Sequence, residues 1–269
     1  LSEGLYIWDF DGVISDSLLE CLTVVSLAVH RSAHPGEVVT SEALLDICNV
    51  EQVELLERWM RPLRPFIVRG QDYLWQYFNR AAFECHFTSI PEYMSVFDAL
   101  YDEHTDAAYR ELFYDSRKLL IELLGSKYMA LFTTYQGAIH ALRASIGRHR
   151  TFICSARDRQ ALELILSRHR IALPRDCIYT QDYCAERANL GMDKAEQILE
   201  ILDRNGGPGQ PFVIIEDQVK APAMLQQSCS EMRVVHAGYG YGLNVDWERA
   251  GFSRMRRVDT AADLIYEIY

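Results

Sequence analysis

Two carboxylates, Asp9 and Asp11, stand two residues apart where the apolar run Leu5-Tyr6-Ile7-Trp8 ends, and Gly12 follows them. Acids at this spacing are close enough to share one metal ion, or to divide the roles of nucleophile and proton carrier. A carboxylate at the carboxyl end of a parallel strand projects into the crevice where open α/β sheets bind ligands. Glycine there lets the backbone turn away sharply and approach a ligand closely. A second apolar run, residues 211–215, also ends in acids, Glu216-Asp217. Adjacent acids at a strand end repel each other unless a cation is present, so a metal accounts for them economically.

Such acids need a scaffold that brings distant strand ends together, and the chain carries the pattern of one. Strands are expected at residues 5–8, 150–155, 178–180 and 211–215, with a last one at 233–235. Helices are expected between them, at 138–145, 157–169 and 191–202, with a closing helix at 261–269. This alternation predicts an α/β fold with a doubly wound parallel sheet. Residues 16–132 read differently. Helical spacing recurs at 18–30, from Ser41, at 50–60, 73–85, 91–100 and 107–124, with a proline-punctuated loop at 61–70 and no convincing strand. The expected organisation is a core of residues 1–15 and 133–269 interrupted by an all-helical insertion, 16–132.

The chain has 269 residues, of which 49% are hydrophobic, enough for one large domain or two modest ones. Its net charge of −11 argues against nucleic acid or an anionic membrane as the main partner. A small phosphorylated substrate stays compatible, because local fields can oppose the global charge. Cys21, Cys48, Cys85, Cys154, Cys177, Cys184 and Cys229 show no CxxC spacing and read as reduced thiols of a cytoplasmic protein, without a zinc site. No apolar run approaches the ~18 residues of a membrane span, and no signal peptide is visible.

The stretch around Asp9-Phe10-Asp11-Gly12-Val13, with its preceding apolar strand and the following Asp16-Ser17, resembles the first motif, DxDG(V/T), of the phosphatase branch of the haloacid dehalogenase-like (HAD) superfamily. The resemblance implies three further motifs. The second, a strand ending in Ser or Thr, has two candidates, Thr133 and Ser155. Ser155 is preferred because a helix, a short strand and a lysine follow it in the expected order. The third is a lysine near the start of a helix, where a cation strengthens a phosphate site. Lys194 fits it in a chain whose only other lysines are Lys118, Lys127 and Lys220, Lys220 being the fallback. The fourth is the strand ending in Glu216-Asp217, with Ala221 standing where a further acid often stands.

The resemblance also implies a mechanism. Asp9 attacks phosphorus and becomes an aspartyl-phosphate, while Asp11 protonates the leaving oxygen and then activates water. Mg²⁺ is the implied cofactor, bound by Asp9, the Asp11 main-chain carbonyl and Asp217, with Glu216 a second ligand or one acting through water. Lys194 offsets the repulsion between carboxylate and phosphate, and Ser155 with main-chain amides, here those of Gly12 and Ala156, orients the phosphoryl oxygens. The helical insertion stands where such proteins carry a lid that excludes water and adds substrate contacts.

Asp11 argues against dehalogenation, in which halide leaves without a proton. No lysine precedes Lys118, which argues against a phosphonatase with a Schiff-base lysine in the insertion. The leading expectation is a phosphatase acting on a small phosphorylated metabolite. A sugar phosphomutase and a catalytically silent binding protein are the alternatives. Within the insertion, Arg58 and Arg61 read as partners of Glu51, Glu54 and Glu57, whereas Arg64 and Arg69 are candidates for gripping an anionic substrate. Tyr73, Trp75, Tyr77 and Phe78 read as insertion core. Neither the substrate nor an oligomeric state is legible.

Overall fold

A computed structural model describes residues 4–84, 86–181 and 193–269. The chain divides into two compact units, Leu1–Asp16 with Thr133–Tyr269, and Ser17–Phe132.

The first unit is built on a six-stranded sheet. Its strands are β1 (Leu5–Trp8), β4 (Arg150–Cys154), β5 (Ile178–Tyr179), β6 (Phe212–Glu216), β7 (Met232–Ala237) and β8 (Met255–Val258). Their order is β5-β4-β1-β6-β7-β8, and every pairing is parallel. β1 and β6 are buried along their whole length, as continuous apolar runs covered on both faces must be. After β1 the chain builds outward on one side through β4 and β5, then crosses to the other side for β6. The carboxyl end of β1 is therefore the switch point where such sheets bind ligands. Register delivers the acids there. Trp8 pairs with both Ile153 and Ile215, so Asp9, Cys154 and Glu216 come next at one level, and Ser155 and Asp217 one step beyond.

Two short strands, β2 (Ser15–Asp16) and β3 (Thr133–Thr134), form a separate antiparallel ribbon in which Asp16 faces Thr133 and Ser15 faces Thr134. This ribbon corrects the reading of Thr133 as a candidate end of a main-sheet strand. Gly125–Leu131 is a 3-10 helix instead, and Thr133 pairs outside the main sheet. The expected last strand is also superseded, because β8 lies beyond β7 at the edge. The expected closing helix is a 3-10 turn, Ala261–Leu264, followed by a short α-helix, Ile265–Ile268. Of the expected helix at 191–202, residues 191 and 192 lie outside the described residues, and the rest runs Lys194–Asp203.

The described residues of the second unit are helical throughout their regular elements: Leu18–Ala33, Ser41–Ile47, Val50–Met60, Asp72–Phe78, Arg80–Phe83, Ile90–Leu100 and Glu103–Leu124. The helix at Ser41 is capped by Thr40, whose hydroxyl accepts from the Ala43 amide, rather than by Ser41. The expected helix 73–85 breaks at Asn79, and its last residue, Cys85, lies outside the described residues. Tyr73 and Trp75 are buried, while Phe78 is largely exposed. Aromatic rings of Phe66, Phe83, Phe87, Tyr93 and Phe97 pack against one another. A buried ion pair joins Arg117 to Glu20 (2.8 Å), and the Tyr128 hydroxyl donates to the same carboxylate at 2.8 Å. No helix among the described residues is long and apolar enough to cross a membrane.

Candidate active site

At the carboxyl end of β1, the Asp9 carboxylate lies 2.7 Å from the Lys194 ammonium, which donates to Glu216 Oε2 at the same distance. Lys194 is the first residue of its helix, and Asp193 caps that helix with a reciprocal Glu196 contact. The cation is therefore fixed at a helix amino end, where partial positive charge already favours an anion. Asp9, Glu216 and Asp217 offer oxygens that all lie within 4.8 Å of one another, and all three residues are buried. Burial, with Glu216 nearby, pushes the Asp9 carboxyl well above its usual range. Burial likewise raises Glu216, against the pull of Lys194. Burial alone would lower the Lys194 ammonium, but Asp9 and Glu216 more than reverse that. Lys194 thus answers two of three clustered buried acids, Asp9 and Glu216, and Asp217 adds a third oxygen donor, a set that a divalent cation would match.

The two strand-end acids of β6 are held differently. Glu216 Oε1 accepts from the amides of Asp217 and Gln218 (3.1 Å each), so both of its oxygens have protein donors. Asp217 Oδ2 accepts from the Tyr241 amide at 2.8 Å, and its carbonyl accepts from Trp247 Nε1 at 3.0 Å. Gly12 adopts φ +88°, and a side chain there would overlap the Asp217 carboxylate. This is the close backbone approach that only glycine permits.

Asp11 faces elsewhere. Arg157, whose side chain is 1% exposed, donates to it from Nη2 (2.8 Å) and Nε (3.3 Å). The side chain of Asp11 thus stands outside the cluster of Asp9, Glu216 and Asp217. Ser155 follows β4 and is buried, with its hydroxyl accepting from the Arg157 amide at 3.2 Å. Of the two serine or threonine candidates, Ser155 is the one on the strand next to β1, and Ala156 follows it; Thr133 lies in the ribbon. The loop after β7 closes the far side: the Tyr239 hydroxyl donates to the Val13 carbonyl (2.7 Å) and the Tyr241 hydroxyl to Asp16 (2.6 Å).

No protein-family model and no curated protein matches the sequence. Solved structures do match along its whole length. A "predicted phosphatase" from Clostridium acetobutylicum superposes with a TM-score of 0.60 at 14% identity, covering 99% of this chain and 98% of that one. A haloacid dehalogenase-like family hydrolase from Streptococcus pneumoniae does so with a TM-score of 0.57 at 12% identity, covering 100% and 99%. The fold is that of the haloacid dehalogenase-like hydrolases. A "predicted phosphoglycolate phosphatase" from Haemophilus somnus shares this HAD-like fold, with a TM-score of 0.58 at 13% identity over 100% of this chain and 99% of its own.

Within the HAD-like fold, the arginines of the helical unit prove to be engaged in it. Arg69 is gripped by Asp72 and Asp106, each at 3.0 Å, and these carboxylates hold its guanidinium above its usual range against the effect of burial. Arg64 is buried and donates to the Ile67 carbonyl at 3.1 Å. The expectation that these two grip a substrate anion meets side chains already committed to fastening the 61–72 turn. Arg58 and Arg61 pair with Glu54 and Glu57 one turn away. Arg157, Tyr241 and Trp247 were not legible beforehand. The one signal for Arg157 was its place two residues after Ser155, at the start of the next helical pattern.

Proposed function

We propose that this chain is a Mg²⁺-dependent phosphatase that hydrolyses a small phosphorylated metabolite through an aspartyl-phosphate on Asp9. The observation that carries this reading is the buried Asp9 carboxylate held by Lys194 at the switch point of the sheet, with Glu216 and Asp217 beside it. The donor set is all oxygen, which suits a hard divalent ion. Asp9 and Asp217, with the Asp11 carbonyl, would hold that ion. Glu216, with both oxygens on protein donors, serves first to position Lys194. The ion, when bound, neutralises phosphoryl charge and aligns the phosphate with Asp9.

The residues then divide the work. An Asp9 oxygen bonds to phosphorus as the ester oxygen leaves, and Asp11 supplies the proton that the leaving group needs. Lys194 offsets the charge on the transferring group. Ser155 and the amides of Gly12 and Ala156 orient its oxygens. Asp11 next takes a proton from water, whose oxygen bonds to phosphorus while the bond to Asp9 breaks, releasing phosphate and restoring both acids. Arg157 keeps the Asp11 carboxylate aimed throughout. Structures of the same fold described as phosphatases support this reading, and seven cysteines without CxxC spacing suit a reducing cytoplasm.

The test is phosphate release from a panel of small phosphomonoesters, with Mg²⁺ and with a chelator, and with Asp9→Asn as control. Release that needs both Mg²⁺ and Asp9 is expected. Isomerisation of a sugar phosphate in place of release would make the protein a mutase, and inertness toward every ester would overturn the reading.

A further inference from the structure

We propose that His30, His34 and Glu37, in the helical unit, form a separate site for a borderline transition cation of the Zn²⁺ class. The helix Leu18–Ala33 ends with His34 as its cap, whose amide donates to the His30 carbonyl at 2.9 Å. Residues four apart share one helix face, and the two imidazoles stack with centroids 4.5 Å apart. Pro35 ends the helix. Gly36, at φ +87°, reverses the chain, and the Glu37 amide donates back to the His34 carbonyl at 3.2 Å. The turn thereby returns a carboxylate to the two rings. One atom from each of the three residues lies within 4.8 Å of the others.

Two details point to an ion rather than to a chance grouping. His34 Nδ1 lies 3.0 Å from the His30 carbonyl. A carbonyl only accepts, so Nδ1 carries the proton and the Nε2 lone pair is left open, the arrangement that metal-binding imidazoles use. His30 Nε2 is shielded from solvent, has no hydrogen-bond partner among the described residues, and stands 3.7 Å from Glu37 Oε1. That separation is too long for a hydrogen bond. It is close to the ~3.4 Å between two ligands placed tetrahedrally at ~2.0–2.1 Å from one zinc ion. A nitrogen shielded from solvent and left beside a carboxylate it does not reach calls for a further partner, and an ion between the two supplies one. Arg31, the adjacent cation, is drawn off to the Ser116 hydroxyl at 2.8 Å. Two imidazoles and one carboxylate favour Zn²⁺ and its neighbours over Mg²⁺, which prefers oxygen throughout.

The experiment is a calorimetric Zn²⁺ titration of the full chain in saturating Mg²⁺, which keeps the acidic cluster occupied. Wild type should take up one Zn²⁺ that Mg²⁺ does not displace. His30→Ala and His34→Ala should each weaken that event at least about tenfold, with Glu37→Gln weakening it less. Zn²⁺ should raise the Tm of wild type and leave that of His34→Ala unmoved. His34 is solvent-exposed, so this variant should keep wild-type circular dichroism and wild-type hydrolysis. Equal Zn²⁺ uptake by wild type and His34→Ala, or no uptake by wild type in Mg²⁺, would overturn the proposal.

Discussion

Arg157 and Asp11, 146 positions apart in sequence, meet as a partly buried fork in which one guanidinium grips one carboxylate at 2.8 and 3.3 Å. If Asp11 moves protons during turnover, the fork sets its aim. Arg157→Leu should lower kcat by roughly 10²-fold, within the range for losing a positioned acid–base group. Arg157→Lys should recover only part of this, because an ammonium keeps the charge without the forked geometry. Steady-state kinetics on any ester that the protein turns over will check this; an unchanged kcat in Arg157→Leu refutes it.

Asp9→Asn should reduce turnover by at least about 10⁴-fold, as expected for a lost nucleophile. The same variant should unfold at a higher temperature than wild type in metal-free buffer. Burial and Glu216 disfavour the Asp9 carboxylate, and a neutral amide of the same shape removes that cost. A lower Tm in chelator would contradict the electrostatic account even if activity is lost.

Lys194→Met should have the opposite effect on stability. It leaves Asp9 and Glu216 buried without their shared cation, a type of loss that costs about 3–5 kcal/mol. Urea unfolding with and without Mg²⁺ measures it. The ion should recover more stability in the variant than in wild type, because more negative charge awaits it.

Gly12→Ala combines a positive φ with overlap of the Asp217 carboxylate. The backbone strain alone is of order 1–3 kcal/mol. Displacement of Asp217 should weaken the Mg²⁺ dependence of hydrolysis, seen as a higher Mg²⁺ concentration for half-maximal rate. A variant with wild-type Mg²⁺ response would show that Asp217 is not a ligand.

His236 is buried against Trp247, with ring centroids 4.4 Å apart. Burial, then Arg257, lowers its imidazole from 6.5 to about 4. The unfolded chain therefore takes up a proton before the folded one does. The stability linked to this residue is complete above pH ~6.5, falls as pH drops toward 4, and amounts to at most about 3 kcal/mol. His236→Phe keeps the stack and should flatten the pH dependence of unfolding across that window, which urea melts at several pH values will show.

The parts of this molecule that the sequence discloses are those whose signal is local. β1, β4 and β6 stand out because strands buried on both faces are unbroken apolar runs. Their end residues, Asp9, Ser155, Glu216 and Asp217, follow from the runs themselves. β8 escaped because it is an edge strand whose two arginines face solvent, which leaves no apolar pattern to read. The ribbon strands escaped because two residues have no period. Arg157 and Tyr241 escaped for another reason: their meaning lies in partners 146 and 225 positions away, and only folding creates such pairs. For Arg69 the sequence discloses a clustered positive charge but not its partners, since the acids that pair with it include one from a helix 37 positions distant.

The ribbon of β2 and β3 gives the chain a single doorway. Asp16 and Thr133 face each other across it, so the polypeptide leaves the sheet unit and re-enters it at neighbouring positions. An ordinary tight hairpin would join those same two residues. The inserted module is therefore hung on paired residues, and the gap it spans in the sheet unit is one that a single turn could close.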